Sequence, residues 1–121
     1  MQIYGREYGF KLTVGASAKI ADLCPDGDLS KVGDLMKGRY SRITKTGADF
    51  ICALSEGYEI ALKYERPGYE PHPLCREMVM SLDPEVFAKV QQAAMEAFAR
   101  DQKGSVQVEP AKKNDADLTS V

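Results

Sequence analysis

The sequence predicts an α+β fold: a small, mainly α-helical domain with an N-terminal β-hairpin and a disordered C-terminal tail. Three observations lead to this prediction. Residues 1–12 alternate between apolar and polar side chains around a glycine, as a hairpin does. Most of residues 14–101 repeat their apolar side chains every three to four positions, which is helical spacing. Residues 104–121 contain no aromatic side chain and no such stripe, so their packing cannot offset the entropy cost of ordering the chain.

The composition fits one globular domain and excludes several function classes. The chain has 121 residues, of which 44% are hydrophobic, and a net charge of −2 with acidic and basic residues interspersed. Nucleic-acid binding needs a concentrated basic surface, so we expect no nucleic acid partner. No apolar run approaches the ~20 residues of a membrane span, and the N-terminus is too polar for a signal peptide. We therefore expect a cytoplasmic protein without a membrane partner.

The first twelve residues predict a hairpin with a two-residue turn at Gly5 and Arg6. Glycine accepts the positive φ that a type II′ turn requires at its first central position. This register pairs Tyr4 with Glu7 and collects one apolar face from both strands. The side chains of that face, which we expect to pack on helices, are Ile3, Tyr8, Phe10 and Leu12.

Two short helices are predicted to follow, over residues 15–24 and 29–38. The sequence PDGD ends the first helix, and Asp28 is placed to cap the second, which Gly38 ends. The side chains expected to face the core are Val14, Ala18, Ala21, Leu29, Val32 and Met36, with Ile20 and Leu23 as further candidates.

A third helix is predicted over residues 41–55, and a helical pattern resumes after Gly57 up to Glu65. An interruption at Gly57 and a single continuous helix with a kink both fit this pattern. The predicted buried face consists of Ile43, Gly47, Phe50, Ile51 and Leu54.

Three prolines make residues 66–73 an extended connector, with Tyr69 as its anchor. A short helix follows from Cys75, which is a poor N-cap. The last helix has the clearest start signal, because Asp83 can cap it and Pro84 takes its first position. Its apolar stripe is Val86, Phe87, Val90, Ala94 and Phe98. We expect this helix to end near Gly104, which divides the chain into a domain at 1–103 and a tail at 104–121.

Residue types that carry out catalysis or bind metals are sparse and poorly spaced. His72 is the only histidine, and nothing near it supplies a nucleophile with an oxyanion site. The cysteines at positions 24, 52 and 75 are too far apart for a CxxC-type zinc site and suit free thiols. Asp26 and Asp28 lack the other oxygen ligands of a calcium loop. We therefore predict that the protein is not an enzyme and needs no metal or cofactor.

Adaptable apolar side chains near the last two helices form the candidate partner-binding site. Thioether side chains suit surfaces that hold flexible partners, although helical core packing explains these methionines equally well. The candidate residues are Tyr69, Leu74, Met78 and Met80.

The order of these elements is similar to that of a known family. The hairpin run IYGREYGFKLTVGA leads directly into a helix, and a helical middle follows. Then come GYEPHPLCREMVMSLDPEVFAKVQQAAMEAF and a charged tail containing VEPAKKN. This pattern covers nearly the whole chain and resembles the tail assembly chaperones of long-tailed bacteriophages and prophages.

The resemblance implies a non-enzymatic protein that binds the tape measure protein, a very long helical chain that sets tail length. It also implies that the chaperone keeps this partner soluble in the host bacterial cytoplasm and is absent from the mature virion. In this family a ribosomal frameshift often yields a longer product, whose second domain recruits the tail-tube protein. The tail at residues 104–121 would then be a flexible tether.

A structural virion component, such as a head–tail connector or a minor tail protein, is the alternative function. It shares the small size and the lack of active-site residues. The two functions differ in whether the protein is present in purified particles. The sequence leaves open whether the chain forms a homo-oligomer.

Overall fold

A computed structural model of the chain describes residues 1–108 and is mostly helical, with a short antiparallel hairpin at its N-terminus. The hairpin strands are β1 (Gln2–Ile3) and β2 (Arg6–Glu7), and the α-helices are α1 (Val14–Leu23), α2 (Tyr40–Glu65), α3 (Arg76–Met80) and α4 (Pro84–Val108). Two 3₁₀ segments, Pro25–Gly27 and Leu29–Met36, connect α1 to α2. The mainly helical fold with an N-terminal hairpin is thus confirmed.

The hairpin has a different turn and register from those predicted. Its turn residues are Tyr4 and Gly5, with φ angles of 51° and 76°, which is the positive-φ pair of a type I′ turn. Ile3 therefore pairs with Arg6, and Glu7 pairs with Gln2. The predicted pairing of Tyr4 with Glu7 is wrong, because the turn lies one residue earlier and every pairing shifts by two residues.

The observed register places Arg6 beside a buried carboxylate. Residues directly opposite in an antiparallel pair share a face, so pairing with Ile3 turns Arg6 toward the core side. There its guanidinium lies 3.8 Å from the carboxylate of Glu59, a buried residue of α2. The predicted apolar face survives the shift, because Ile3, Tyr8 and Phe10 are buried and Leu12 is partly buried.

Helix α1 presents a different face to the core from the one predicted. Thr13 begins the helix by accepting a hydrogen bond from the Ala16 backbone N–H at 3.1 Å. The buried side chains are Ala16, Ile20 and Cys24, spaced four residues apart. Val14 and Ala18, which we predicted to face inward, are exposed, with Val14 88% exposed.

The second predicted helix is a 3₁₀ segment, Leu29–Met36. Asp28 caps it as expected, because its carboxylate accepts from the Ser30 backbone N–H at 3.0 Å. Lys31, with φ −97° and ψ 20°, departs from helical geometry and interrupts the segment. Leu35 is its buried side chain, while the predicted Leu29, Val32 and Met36 are only partly buried.

Helix α2 is continuous over 26 residues, so the alternative with an interruption at Gly57 is wrong. Its predicted face is buried at Gly47, Phe50, Ile51 and Leu54, while Ile43 is half-buried. Gly57 has a packing role instead, since a Cβ there would lie 2.4 Å from the Lys11 carbonyl oxygen. The glycine lets the chain before α1 cross α2 in close contact.

Helix α4 begins at Pro84 as predicted and continues through Val108, beyond the predicted end near Gly104. Of its predicted stripe, Val90, Ala94 and Phe98 are buried, Phe87 is partly buried and Val86 is 36% exposed. The rings of Phe50 and Phe98 pack with centroids 5.5 Å apart. Most of the predicted tail, residues 109–121, lies outside the described residues.

Candidate partner-binding site

The described surface has an apolar groove between the start of α1 and the last three turns of α2, which we call the α1–α2 groove. Its volume is about 370 Å³. It is defined by Val14, Gly15, Gly57, Ile60, Ala61 and Tyr64. Two packed helices leave such a groove when the residues between their ridges are small.

Large apolar side chains stand at the edges of this groove, and small residues form its floor. Val14, Ile60 and Tyr64 are 88%, 39% and 81% exposed. Gly15 and Ala61 add little side chain between them, so the edges remain accessible. Exposed large apolar side chains gathered in one depression are typical of a protein-binding surface.

The charges around the α1–α2 groove are paired with one another. Lys19 of α1 and Glu56 of α2, the charged residues of its lining, form an ion pair. A second pair, outside the lining, joins the Lys11 ammonium to the Glu65 carboxylate at 3.8 Å. The rim therefore offers both signs of charge and no local excess of either, while the interior of the groove is apolar.

A second cleft lies between the N-terminal ends of α2 and α4, and we call it the α2–α4 cleft. Its volume is about 300 Å³, and Met36, Tyr40, Ile43 and Phe87 are among its lining residues. Tyr40 is 74% exposed, whereas Met36 and Phe87 are packed against the core. This cleft therefore has one prominent exposed apolar side chain, against three at the α1–α2 groove.

The four residues predicted to bind a partner do not form one exposed surface. Leu74 is 3% exposed and belongs to the core, so its side chain is inaccessible in this structure. Met78 is partly buried, and its carbonyl accepts a hydrogen bond from the Tyr4 hydroxyl at 3.3 Å. Met80 is 43% exposed at the end of α3.

Tyr69, the fourth predicted residue, anchors the proline-rich connector. Its hydroxyl donates a hydrogen bond to the Glu59 carboxylate at 2.6 Å and accepts one from the Arg6 guanidinium at 3.4 Å. Donation to a carboxylate stabilises the neutral phenol, so the pKa of Tyr69 is raised, and partial burial adds to the shift. The anchoring role predicted for Tyr69 agrees with these contacts.

Two buried polar side chains of α2 hold the connector in place, and we call this arrangement the loop clamp. Glu59 is 1% exposed and also accepts from the His72 backbone N–H at 2.8 Å. Ser55 is 0% exposed, and its hydroxyl accepts from the Leu74 backbone N–H at 2.9 Å. These contacts satisfy backbone donors of a segment that has no helix or strand to satisfy them. The loop clamp therefore has a structural role.

The three cysteines are free thiols, as predicted. Burial raises the pKa of Cys52 to about 12, and the negative charge of Asp49 contributes to the shift. The pKa of Cys24 is raised by burial as well. Both thiols are thus protonated near neutral pH, and the nucleophilic form is the thiolate.

Comparison of the chain with models of protein families, with curated proteins and with solved structures gave no match. Within residues 1–108, no group of three or more acidic, histidine or cysteine side chains is arranged to hold a metal ion. Over the same residues, no helix combines the length and hydropathy of a membrane span.

The residues of the α1–α2 groove escaped the sequence analysis for identifiable reasons. Val14 was assigned to the core because it is apolar and precedes a helical pattern. Ile60 and Tyr64 are four residues apart, to one side of the stripe that includes Phe50 and Leu54. Their position beside the core stripe is the feature of the sequence that could have indicated the groove, because apolar residues that the core does not need are candidates for contact with another molecule.

Proposed function

We propose that this protein is a tail assembly chaperone of a long-tailed bacteriophage or prophage, which binds the tape measure protein and keeps it soluble during tail assembly. The observation that supports the proposal is the α1–α2 groove. In a small helical domain, it leaves Val14, Ile60 and Tyr64 exposed around one depression. The order of elements along the sequence, which resembles that family, points to the same function.

The physical basis is the cost of leaving a long amphipathic helix without its partners. A tape measure protein that is not yet enclosed by tail-tube subunits exposes an apolar stripe, and such stripes associate with one another. A small domain with an apolar groove can cover part of this stripe by helix-in-groove contact. The contact must be reversible, because the tube later replaces the chaperone.

The finer points of the proposal concern the end of the chain and the location of the protein. The chain after Val108 acts as a tether, and a frameshifted longer product carries a second domain that recruits the tail-tube protein. The protein acts in the host bacterial cytoplasm and is absent from the mature virion. A single band of about the mass of this chain, on a blot of induced cells, would contradict the longer product alone.

The test is co-expression with the tape measure protein encoded in the same gene cluster. We expect this client to pellet when it is expressed alone, and to be soluble and co-purify when the full chain is present. Mass spectrometry of purified particles then separates the two functions. Abundant chain in the particle would favour a structural virion component, and a client that pellets under both conditions would contradict the chaperone function.

A further inference from the structure

We propose that the α1–α2 groove binds one amphipathic helix of a partner protein, through large uncharged apolar side chains one helical turn apart. This inference rests on the proposed function and deepens it, since it assigns the client contact to Val14, Ile60 and Tyr64. It places the contact away from Met78 and Met80, the surface that the sequence suggested.

The shape of the groove favours a helix as its occupant. Both walls are helices, and the floor between them consists of residues with small side chains, including Gly15, Gly57 and Ala61. A third helix can place its ridge of side chains in such a groove, as helices do when they pack on one another. Side chains at i and i+4 of that helix lie about 5–6 Å apart, so two of them can enter the same depression.

The charges around the groove define the chemistry of the helix. The charged side chains that line the groove, Lys19 and Glu56, pair with each other, so its lining has no unbalanced charge. A charged side chain pointing into the groove would lose its hydration without gaining an unpaired opposite charge. The partner's inward stripe is therefore uncharged, and its flanks carry acidic and basic residues that can contact Lys19 and Glu56.

Comparison with the other exposed apolar positions favours this groove. Tyr64 and Tyr40 stand near opposite ends of α2 and are similarly exposed, at 81% and 74%. Tyr64 is joined by Val14 and Ile60 around its depression, whereas Tyr40 is the one large exposed apolar side chain in the lining of the α2–α4 cleft, where Met36 and Phe87 pack on the core. Binding energy concentrates where aromatic and aliphatic side chains are desolvated together.

The groove can be filled without disturbing the fold, which gives a direct test. A Cβ added at Gly15 meets no atom within 4 Å, and the same is true at Gly33 in the 3₁₀ segment. Gly15→Leu therefore places a side chain at the groove, while Gly33→Leu adds the same side chain elsewhere. A second matched pair is Tyr64→Glu in the groove and Tyr40→Glu in the α2–α4 cleft.

The experiment co-expresses the full chain and each variant with the tape measure protein of the same gene cluster, and measures the client that co-purifies. Thermal unfolding of each variant verifies that it is folded. We expect Gly15→Leu and Tyr64→Glu to retain at least tenfold less client than the unmodified chain. Gly33→Leu, Tyr40→Glu and a third control, Met80→Glu, should retain it within twofold.

The outcomes separate this inference from the proposed function. If the unmodified chain holds the client and the two groove variants hold it equally well, the groove assignment is wrong and the chaperone function stands. Loss of client in Met80→Glu or Tyr40→Glu, without loss in the groove variants, also overturns the assignment.

If the unmodified chain holds no client, the proposed function fails and the groove is tested separately. The probe is then a synthetic amphipathic helical peptide with a leucine stripe flanked by Glu and Lys, titrated into the isotope-labelled full chain. Saturable NMR shift changes at Val14, Ile60 and Tyr64, absent from Gly15→Leu, support the inference. Shift changes elsewhere, or none at millimolar peptide, overturn it.

Discussion

The C-terminal half of α2 buries polar side chains on one side and exposes large apolar side chains on the other. This is the reverse of the usual distribution, in which apolar side chains are buried and polar ones are exposed. On the side covered by residues 66–75, Ser55 and Glu59 are 0% and 1% exposed. On the side that forms the α1–α2 groove, Ile60 and Tyr64 are 39% and 81% exposed. Polar side chains are buried and large apolar side chains face water on consecutive turns of one helix.

The difference shows that the two sides have separate tasks. Residues 66–75 have backbone N–H groups that no helix or strand satisfies, and Ser55 and Glu59 accept from two of them, those of Leu74 and His72. These polar residues therefore stabilise the chain's own fold. Val14 and Tyr64 of the groove remain largely exposed, so they contribute little to the stability of the folded chain, and the contact proposed above would give them a role.

The largest effect should follow from removing the buried carboxylate of the loop clamp. Glu59→Ala leaves the Tyr69 hydroxyl and the His72 backbone N–H without their acceptor, and Arg6 without its ion-pair partner. We expect the free energy of unfolding to fall by about 3 kcal/mol, as for other broken buried polar networks. Urea denaturation of the full chain measures this change.

Glu56→Ala is the matched control for Glu59→Ala. Glu56 lies on the same helix but is partly exposed in its pair with Lys19, and such pairs contribute roughly 0–1 kcal/mol. If both substitutions cost less than about 1 kcal/mol, the loop clamp does not stabilise the fold, and the contrast between the two sides of α2 disappears.

A smaller loss is expected at the glycine that lets the chain cross α2. Gly57→Ala brings a Cβ to 2.4 Å from the Lys11 carbonyl oxygen, a backbone atom that cannot rotate away. We expect a loss of about 1–3 kcal/mol from overpacking, measured by thermal unfolding. The control is Gly15→Ala, where the added Cβ meets nothing within 4 Å outside its own helix, so no loss from overpacking is expected. Equal effects of the two substitutions would contradict the close crossing.

The sequence could predict those elements whose signals are local. Helix α4 begins at Pro84, because proline is favoured at the first helical position. The buried face of α2 follows from the spacing of Phe50, Ile51 and Leu54. These features depend on residues that are neighbours along the chain. The role of Gly57 within α2 could not be predicted, because Lys11, which lies close to it in the fold, is distant from it in the sequence.

What the sequence could not predict depends on such distant contacts. The observed hairpin register brings Arg6 close to Glu59, which is distant in sequence, and it gives Tyr4 a positive φ that local preferences disfavour. A glutamate on a helix is expected to face water, and only the connector explains the burial of Glu59. The groove was missed for the same reason, since it exists only where α1 and α2 meet.

A third prediction uses the pKa of Tyr69 to compare the two sides of α2. Tyr69→Phe removes the hydrogen bond to Glu59 and should cost about 1–2 kcal/mol near neutral pH. The pKa of Tyr69 is raised in the folded state. The hydrogen bond therefore contributes its full stabilisation below the unfolded tyrosine pKa of about 10. This stabilisation is lost as the pH rises through the pKa of Tyr69 in the folded state. The stability difference between the unmodified chain and Tyr69→Phe should therefore shrink above about pH 10.

Tyr64→Phe provides the control for this alkaline transition. Tyr64 is 81% exposed, so removing its hydroxyl should change stability by less than about 0.5 kcal/mol. Parallel stability–pH curves for the unmodified chain and Tyr69→Phe would show that the hydrogen bond to Glu59 does not govern the alkaline loss.

Val14 of the α1–α2 groove should contribute least to stability, although the groove is proposed to contribute most to partner binding. Val14→Ser removes an apolar side chain that is 88% exposed, so the free energy of unfolding should change by less than about 0.5 kcal/mol. Ile20→Ser is the internal comparison, since Ile20 on the same helix is 0% exposed and its loss should cost at least about 3 kcal/mol. Urea denaturation of both variants decides the point. A loss above about 1 kcal/mol for Val14→Ser would mean that Val14 packs within the folded chain, and the open side of α2 would then be part of the core rather than a surface for a partner helix.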